Sequence, residues 1–328
     1  MIYGAGAVGG VIGARLAQHG RSVVLIARGA HLEAIRAQGL TLETPNQRLT
    51  QRIAAVESPL ELEPGDDDVV ILAMKTQHTE AALEELAASK LASAPIVCAQ
   101  NGVENERLVA RRFPKPYGAA VLLPATHLAP GIIENYSATA VTGIIDVGRY
   151  PSGIDSTAAE LCQALESSGF SSRADPSIMR KKYSKLLLNL GNAFEAACGA
   201  EGGGEILAAA RSEALACYRA AGIDHASEEE ESERRGDLIR LKRIAGRRRD
   251  GGSSWQSLAR GSQNIEADYL NGEIVLLGAL HGVPTPVNRT LARVANRMAR
   301  TRAAPGSLGL DELKAEIERT ALEARSER

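Results

Sequence analysis

The sequence predicts a doubly wound α/β domain with a mostly parallel sheet, followed by an all-α domain, on three observations. Gly4, Gly6 and Gly9 in MIYGAGAVGG fit the G-x-G-x-x-G turn that joins a strand to a helix. Short, nearly continuous Val/Ile/Leu runs then alternate with helical patterns through the first half, as strands buried on both faces do. From about Asp175 strand signals stop and long helical patterns take over.

The elements follow in order. Only Met1, Ile2 and Tyr3 precede the glycine turn, where a usual strand has about five or six residues; a few more apolar residues are expected before Met1. Val8–Gln18 reads as a helix stopped by Gly20, Ser22–Ala27 (SVVLIA) as a buried strand, and His31–Gln38 as a helix. Val69–Met74 is a strand, Thr79–Ala88 a helix and Ile96–Gln100 a strand running into the loop Asn101-Gly102. GAAVLLP and TAVTGIIDVG add later strands, and one more helix completes a domain of residues 1–174. Residues 175–328 read as helices over Ile178–Ala197, Ile206–Ala221, Leu238–Ile244 and Ser262–Leu280, and from Asn288. Residues 303–328 form a linker and a charged terminal helix, Asp311–Arg328.

Composition narrows the function classes. With 328 residues and 44% hydrophobic content the chain can build two cores. No apolar run approaches the roughly 20 residues of a membrane span, and no secretory start is present. Cys98, Cys162, Cys198 and Cys217 lie far apart with no C-x-x-C pair, which suits a reducing cytoplasm and supports no metal site. A formal charge of −2, with 1 Trp, 7 Tyr and 3 Phe, gives neither a field nor a stacking platform for nucleic acid. Arg247-Arg248-Arg249 lies close to Glu228–Glu231, and adjacent blocks of both signs read as a solvated helix face.

The first half carries a dinucleotide pattern. A βαβ unit places pyrophosphate on the helix N-terminus, here Gly4, Gly6, Ala7, Val8 and Gly9, where free N–H groups and the helix dipole favour an anion. After the second strand, NAD sites place a carboxylate against the ribose 2′-hydroxyl; this chain has Ala27-Arg28-Gly29. The Arg28 guanidinium suits the 2′-phosphate of NADP instead. Lys75 and Asn101 stand at carboxyl ends of strands, where open α/β sheets bind ligands. Gln77 reads as a plain strand terminator.

In the second half, KLLLNLGNAFEAA carries a narrow polar row on an apolar rod. At about 100° per residue, Asn189 lies about 40° from Lys185 and Asn192 about 20° to its other side. Such a row suits either a polar cleft or a short exposed edge. In SQNIEADYLNGEIVLLG, Glu266 projects from the apolar arc while Asp268 points away. A buried carboxylate must be paired or protonated; a buried Lys185 and Glu266 suit an acid–base pair or a structural ion pair.

Taken together, GAGAVGG, MKT (Met74–Thr76), QNG (Gln100–Gly102), KLLLN (Lys185–Asn189) and SSWQSLARGSQNIEADYLNGE with HGVPTPVN resemble the ketopantoate reductase (2-dehydropantoate 2-reductase) family, in order from residue 1 to about 300. The resemblance implies a Rossmann domain followed by a helical domain of the 6-phosphogluconate dehydrogenase C-terminal type, with the active site in the cleft between them. It implies NADPH-dependent reduction of 2-dehydropantoate to (R)-pantoate, on the route to pantothenate and coenzyme A. By the same resemblance Lys185 is the general acid, Glu266 holds the substrate hydroxyl, Asn189 and Asn101 orient substrate or cofactor, and Ser254 contacts the substrate carboxylate.

The chain departs from that pattern beside the substrate. Many family members carry a second Asn where this chain has Ala193, and Asn192 is the expected substitute. The usual S-M-x-Q-D is Ser254-Trp255-Gln256-Ser257-Leu258, so an Asp is absent and an indole is present. These changes bear on the substrate more than on NADPH-dependent ketone reduction. The alternatives are a paralogue reducing another 2-oxoacid or an imine, and a non-catalytic NADPH-binding sensor or scaffold. The expected partner is a small 2-oxoacid rather than nucleic acid or membrane, and the reading admits a homodimer.

Overall fold

Period-two alternation along the short apolar strands sorts their side chains to two faces. Ile2, Leu25, Ile71 and Val97 join one buried cluster, while Tyr3, Ile26, Val70, Leu72, Ile96 and Cys98 join another. In the computed structural model, which describes residues 1–326, these residues form the strands β1 (Ile2–Tyr3), β2 (Val24–Ile26), β6 (Val70–Leu72) and β7 (Ile96–Cys98). With β5 (Ala54–Val56), β8 (Pro116–Leu122) and β11 (Ile144–Arg149) they make a seven-stranded sheet of order β11-β8-β7-β6-β1-β2-β5. All neighbours pair parallel except β11, which is antiparallel to β8. The two-residue β1 is nonetheless central, in register with Leu25-Ile26 on one side and Ile71-Leu72 on the other.

A second sheet was not legible in the sequence. It has the order β4-β3-β10-β9, from β3 (Leu40–Glu43), β4 (Arg48–Gln51), β9 (Ala125–Ala129) and β10 (Ile132–Asn135). Helix α1 (Ala7–Gln18) packs against both sheets, which accounts for its glycines. A Cβ on Gly10 would lie 2.9 Å from Ile133 of the small sheet, and one on Gly13 would lie 2.7 Å from Leu25 of the large one. The helices α2 (Gly29–Gln38), α3 (Thr79–Ala88), α4 (Asn105–Ala110) and α5 (Ser156–Glu166) complete this part of the fold.

The remaining helices are α6 (Ile178–Asn189), α7 (Gly191–Cys198), α8 (Gly204–Ala221), α9 (Glu228–Arg235), α10 (Ser253–Ala259), α11 (Asn271–His281), α12 (Pro286–Thr301) and α13 (Leu310–Ser326). Chain contacts divide the protein into two compact units: Met1–Lys182 with Ala226–Arg249, and Tyr183–His225 with Asp250–Arg328. This differs from a single cut at 174/175, for a physical reason. Arg234 on α9 binds Asp146 of β11, Arg247 binds Glu43 and Glu134, and the backbone is stitched by Ala138 N–H to Arg240 O and Lys242 N–H to Tyr136 O. The expected helix over Leu238–Ile244 is absent, because Leu241 forms a bridge with Ser137. Of the two charge blocks, Glu228–Glu231 do lie on an exposed helix, α9, but the arginines 247–249 are outside any helix, and Arg247, still about half exposed, pairs with those two carboxylates.

In the second unit α12 presents Val287, Leu291, Val294, Ala295 and Met298 to a core shared with Phe194, Ala210, Ile265 and Leu313. Two long helices expected from periodicity are each broken. Ile178–Ala197 divides at Leu190, whose carbonyl accepts from the buried Asn271 side chain at 3.1 Å; a side chain inserted into the ladder is a recognised cause of such breaks. Ser262–Leu280 divides into a 3-10 turn over Glu266–Tyr269 and α11. The segment after α12 is not a loose linker, as Gly306 and Leu308 N–H groups bond to Ala196 and Ala197 carbonyls. Of the expected helix Asp311–Arg328, Glu327 and Arg328 lie outside the described residues.

Candidate functional site

The glycine turn is built by close packing at two positions and left open at a third. Gly4 has φ +97° and its N–H bonds to Ile26 O at 3.0 Å; a Cβ there would lie 2.6 Å from Met74 N. A Cβ on Gly9 would lie 2.2 Å from Gly4 O and 2.8 Å from Ile2 Cγ2. Gly6, the N-cap of α1, has an ordinary φ of −72°, and its nearest neighbour to an added Cβ is His127 Nδ1 at 3.9 Å. No side chain caps α1 and no carboxylate stands in its first turn. The residues present therefore fit a dinucleotide pyrophosphate: an uncapped helix start, with Ala7 and Val8 as its first residues, behind an open glycine.

His31 was not foreseen as part of this turn. Gly131 N–H donates to its Nδ1 at 2.9 Å, so Nε2 carries the proton and donates to Ala5 O at 2.7 Å. Burial lowers the His31 pKa, which agrees with this neutral form. Its ring lies 4.1 Å from that of His127.

Arg28 is the N-cap of α2. Its Nη2 donates to the Tyr3 hydroxyl at 3.0 Å and is ion-paired with Glu85 of α3, with the two side chains 54% and 30% exposed. Burial alone would raise the Glu85 carboxyl, but hydrogen bonds from Tyr3 and Arg28 hold it below its ordinary value.

Lys75 and Asn101 stand just past the carboxyl ends of β6 and β7, and a buried polar network joins their loops. Asn105 donates to Thr76 Oγ1 at 3.1 Å and to Asn101 O at 3.2 Å; Thr79 donates to Asn105 Oδ1 at 2.8 Å and accepts from Gln100 at 2.7 Å. Beneath the same turn Lys182 donates to Gln100 O at 3.2 Å and pairs with Glu106. Asn105 was missed because an asparagine beginning a helix reads as a cap rather than as a brace between loops. A cavity of about 900 Å³ lies instead at the amino ends of the strands, lined by Val23, Asp68, Val69 and Pro95 among others. Open α/β sheets bind ligands at the opposite ends, so this cavity is not the candidate site.

Lys185, Asn189, Asn192, Ser254 and Glu266 all fall in the second unit, whereas the glycine turn, Arg28, Lys75 and Asn101 all fall in the first. Lys185 and Asn189 are four residues apart on α6 and both half-buried. Asn189 Oδ1 is buried with no protein hydrogen bond. Asn192 lies beyond the break, on α7, where it donates to Ser253 Oγ at 3.3 Å. Ala193 beside it is buried in the core. Glu195, also unforeseen, accepts from Gly252 N–H at 2.8 Å and fixes the entry of α10, which carries the buried Ser254. Trp255 packs on Gly251, whose added Cβ would lie 2.4 Å from the indole. Glu266 opens the 3-10 turn and is buried, while Asp268 is exposed, the orientation expected from the apolar arc.

Comparison with known proteins finds both halves of the chain in one family. Residues 1–152 match the family described as "Ketopantoate reductase PanE/ApbA", and residues 177–299 match "Ketopantoate reductase PanE/ApbA C terminal". The 2-dehydropantoate 2-reductase of Pyrococcus horikoshii is 26% identical over 298 residues, covering 88% of this chain and 93% of the relative. That of Halobacterium salinarum is 26% identical, covering 90% and 98%. A crystal structure of a PanE/ApbA family ketopantoate reductase from Ralstonia eutropha superposes with a TM-score of 0.76 at 27% identity, over 92% of this chain and 99% of that one. D-mandelate dehydrogenase with NADH and anilino(oxo)acetate shares the fold at a TM-score of 0.76 and 20% identity, with the same coverage.

Proposed function

The chain belongs to the ketopantoate reductase family, and on that premise we propose that it reduces 2-dehydropantoate to (R)-pantoate with NADPH. The observation that carries the reading is that both halves of the family pattern are present, over residues 1–152 and 177–299, with the glycine turn on the first unit and Lys185 and Glu266 on the second. NADPH, when bound, supplies the hydride. Gly4, Gly6, Ala7, Val8 and Gly9 would hold its pyrophosphate, Arg28 would meet its 2′-phosphate, and Lys75 and Asn101 would supply further cofactor contacts.

Addition of hydride to a ketone leaves charge on the carbonyl oxygen. Lys185 donates the proton there and stabilises that charge as it forms. Glu266 accepts from the substrate hydroxyl, and Asn189 Oδ1, a buried acceptor without a protein donor, takes a second bond from the substrate. Ser254 donates to the substrate carboxylate, and Asn192 orients the start of α10 from which Ser254 projects. No helix among the described residues is long and apolar enough to cross a membrane; the proposed setting is the cytoplasm, with a small 2-oxoacid as partner and a homodimer as the assembly.

The test is consumption of NADPH by the purified chain with 2-dehydropantoate. Turnover sustains the reading, and tight NADPH binding with no turnover of any 2-oxoacid overturns it. A second reading, a paralogue acting on another 2-oxoacid, is favoured by Trp255 packed on Gly251 beside Ser254, where the family pattern has a smaller residue. A panel of 2-oxoacids separates the two by their kcat/KM.

A further inference from the structure

No carboxylate follows β2 in the sequence, yet the fold brings one there from α3. Glu85 accepts from the Tyr3 hydroxyl at 2.8 Å and from Ser58 Oγ at 3.3 Å, and it is ion-paired with Arg28. Glu57 adds a second negative charge that acts on the same guanidinium. Dinucleotide folds choose their cofactor at this place: a carboxylate there receives the ribose 2′-hydroxyl, and a guanidinium grips the 2′-phosphate. This chain holds one of each, bonded together.

We propose that Glu85 sets the cofactor preference, receiving the ribose 2′-hydroxyl of NADH and opposing the 2′-phosphate that Arg28 attracts. The inference rests on the reading of the first unit as a dinucleotide site with Arg28 at the adenosine ribose. A phosphate dianion reaching Arg28 shares the guanidinium with Glu85 and lies beside a like charge, which works against it. A neutral 2′-hydroxyl meets no such opposition, and a carboxylate has lone pairs to accept it without releasing Tyr3. Glu85 cannot readily turn away, because Tyr3 is buried and Ser58 holds the same oxygen. Burial also pushes the Tyr3 pKa up, so its hydroxyl remains a donor at neutral pH. Arg28 alone would make the chain selective for NADPH; Arg28 with Glu85 makes it bind both cofactors.

The experiment is direct titration of NADPH and NADH, read by the fluorescence of the bound nucleotide, in wild type, Glu85→Gln and Arg28→Ala. Glutamine keeps an acceptor for Tyr3 and removes only the charge. Glu85→Gln is expected to tighten NADPH and weaken NADH, raising the preference for NADPH about tenfold, or about 1.4 kcal/mol. Arg28→Ala is expected to weaken NADPH about tenfold and to leave NADH nearly unchanged. If Glu85→Gln leaves the ratio of the two Kd values unchanged while Arg28→Ala weakens NADPH, the role of Glu85 is overturned and the dinucleotide reading stands. If Arg28→Ala alters neither cofactor, or wild type binds neither, the reading beneath it fails as well.

Discussion

Lys182 and Glu106 form an ion pair with both side chains buried, directly beneath the turn that carries Asn101. The Lys182 ammonium also donates to the carbonyls of Cys98 and Gln100, so one cation braces the last residue of β7 and the loop that follows it. Burial pushes the Glu106 carboxyl up, against the pull of Lys182.

Removing one partner of such a pair leaves an uncompensated buried charge. Lys182→Met is therefore expected to cost about 3–5 kcal/mol at neutral pH, read from the urea midpoint. The sign with pH follows from the raised folded pKa of Glu106. Its contribution is favourable below the unfolded value of about 4.3 and is lost as pH rises through the folded value. The Lys182→Met penalty should thus shrink on acidification, and the added change Glu106→Gln should recover much of it at neutral pH. A penalty that does not vary with pH would show that Glu106 is already neutral in the native protein.

Asp146 gives the opposite sign. Burial would raise its carboxyl, but Arg234 donates to Oδ1 at 2.6 Å and to Oδ2 at 2.8 Å, Lys181 donates to Oδ2 at 2.7 Å, and the pKa is lowered. Its stabilisation is present above the unfolded value of about 3.9 and is lost as pH falls through the folded value. Asp146→Asn should destabilise at neutral pH by about 3–5 kcal/mol and flatten the acid limb of the stability curve. Arg234→Met should loosen residues 226–249 from the first unit, seen as faster backbone hydrogen exchange confined to that segment.

Gly6 and Gly9 belong to one motif yet make separate predictions. Gly9→Ala places a methyl 2.2 Å from Gly4 O, an overpacking expected to cost about 1–3 kcal/mol. Gly6→Ala meets nothing closer than 3.9 Å and sits at an ordinary φ, so its thermal midpoint should match wild type. Its methyl nevertheless occupies the approach of the pyrophosphate, and NADP binding by calorimetry should weaken at least about tenfold. Unchanged affinity in Gly6→Ala would remove the pyrophosphate from this turn.

Most of the seven-stranded sheet was legible because its central strands are Val/Ile/Leu runs buried on both faces, whereas the edge strand Ala54–Val56, part-exposed, was missed; the motif set was legible because chemistry needs particular residue types. The small sheet was not, since RLTQ and LTLE look like polar loop; only the packing of α1 on LTLE, with RLTQ paired beside it, reveals the sheet. Periodicity carried Lys185, Asn189 and Asn192 along one continuous helix, but Asn271, 81 residues from Leu190 in sequence, breaks that helix. Glu85 was invisible for the same reason. Its pairing with Arg28 spans 57 residues, and a surface acid on an amphipathic helix gives no sign of what it will face. A single cut near residue 174 misses a charged segment, 226–249, that returns to the first unit through ion pairs local composition cannot show.

The proposed chemistry separates Lys185 from Asn189 although they lie one turn apart. Lys185→Ala should lower kcat about 10²–10⁴-fold, the usual scale for a lost general acid, while NADPH affinity stays near wild type. Lys185→Arg keeps the charge but holds its proton too tightly to give it up, so its turnover should be as poor as that of Lys185→Ala. Asn189 Oδ1 is a buried acceptor without a protein donor. Removing it relieves a desolvation penalty and should leave stability within about 1 kcal/mol of wild type. If it receives a hydroxyl of the substrate, Asn189→Ala raises KM for 2-dehydropantoate with a smaller effect on kcat. An Asn189 that only braces α6 predicts the reverse, a lower urea midpoint with KM unchanged.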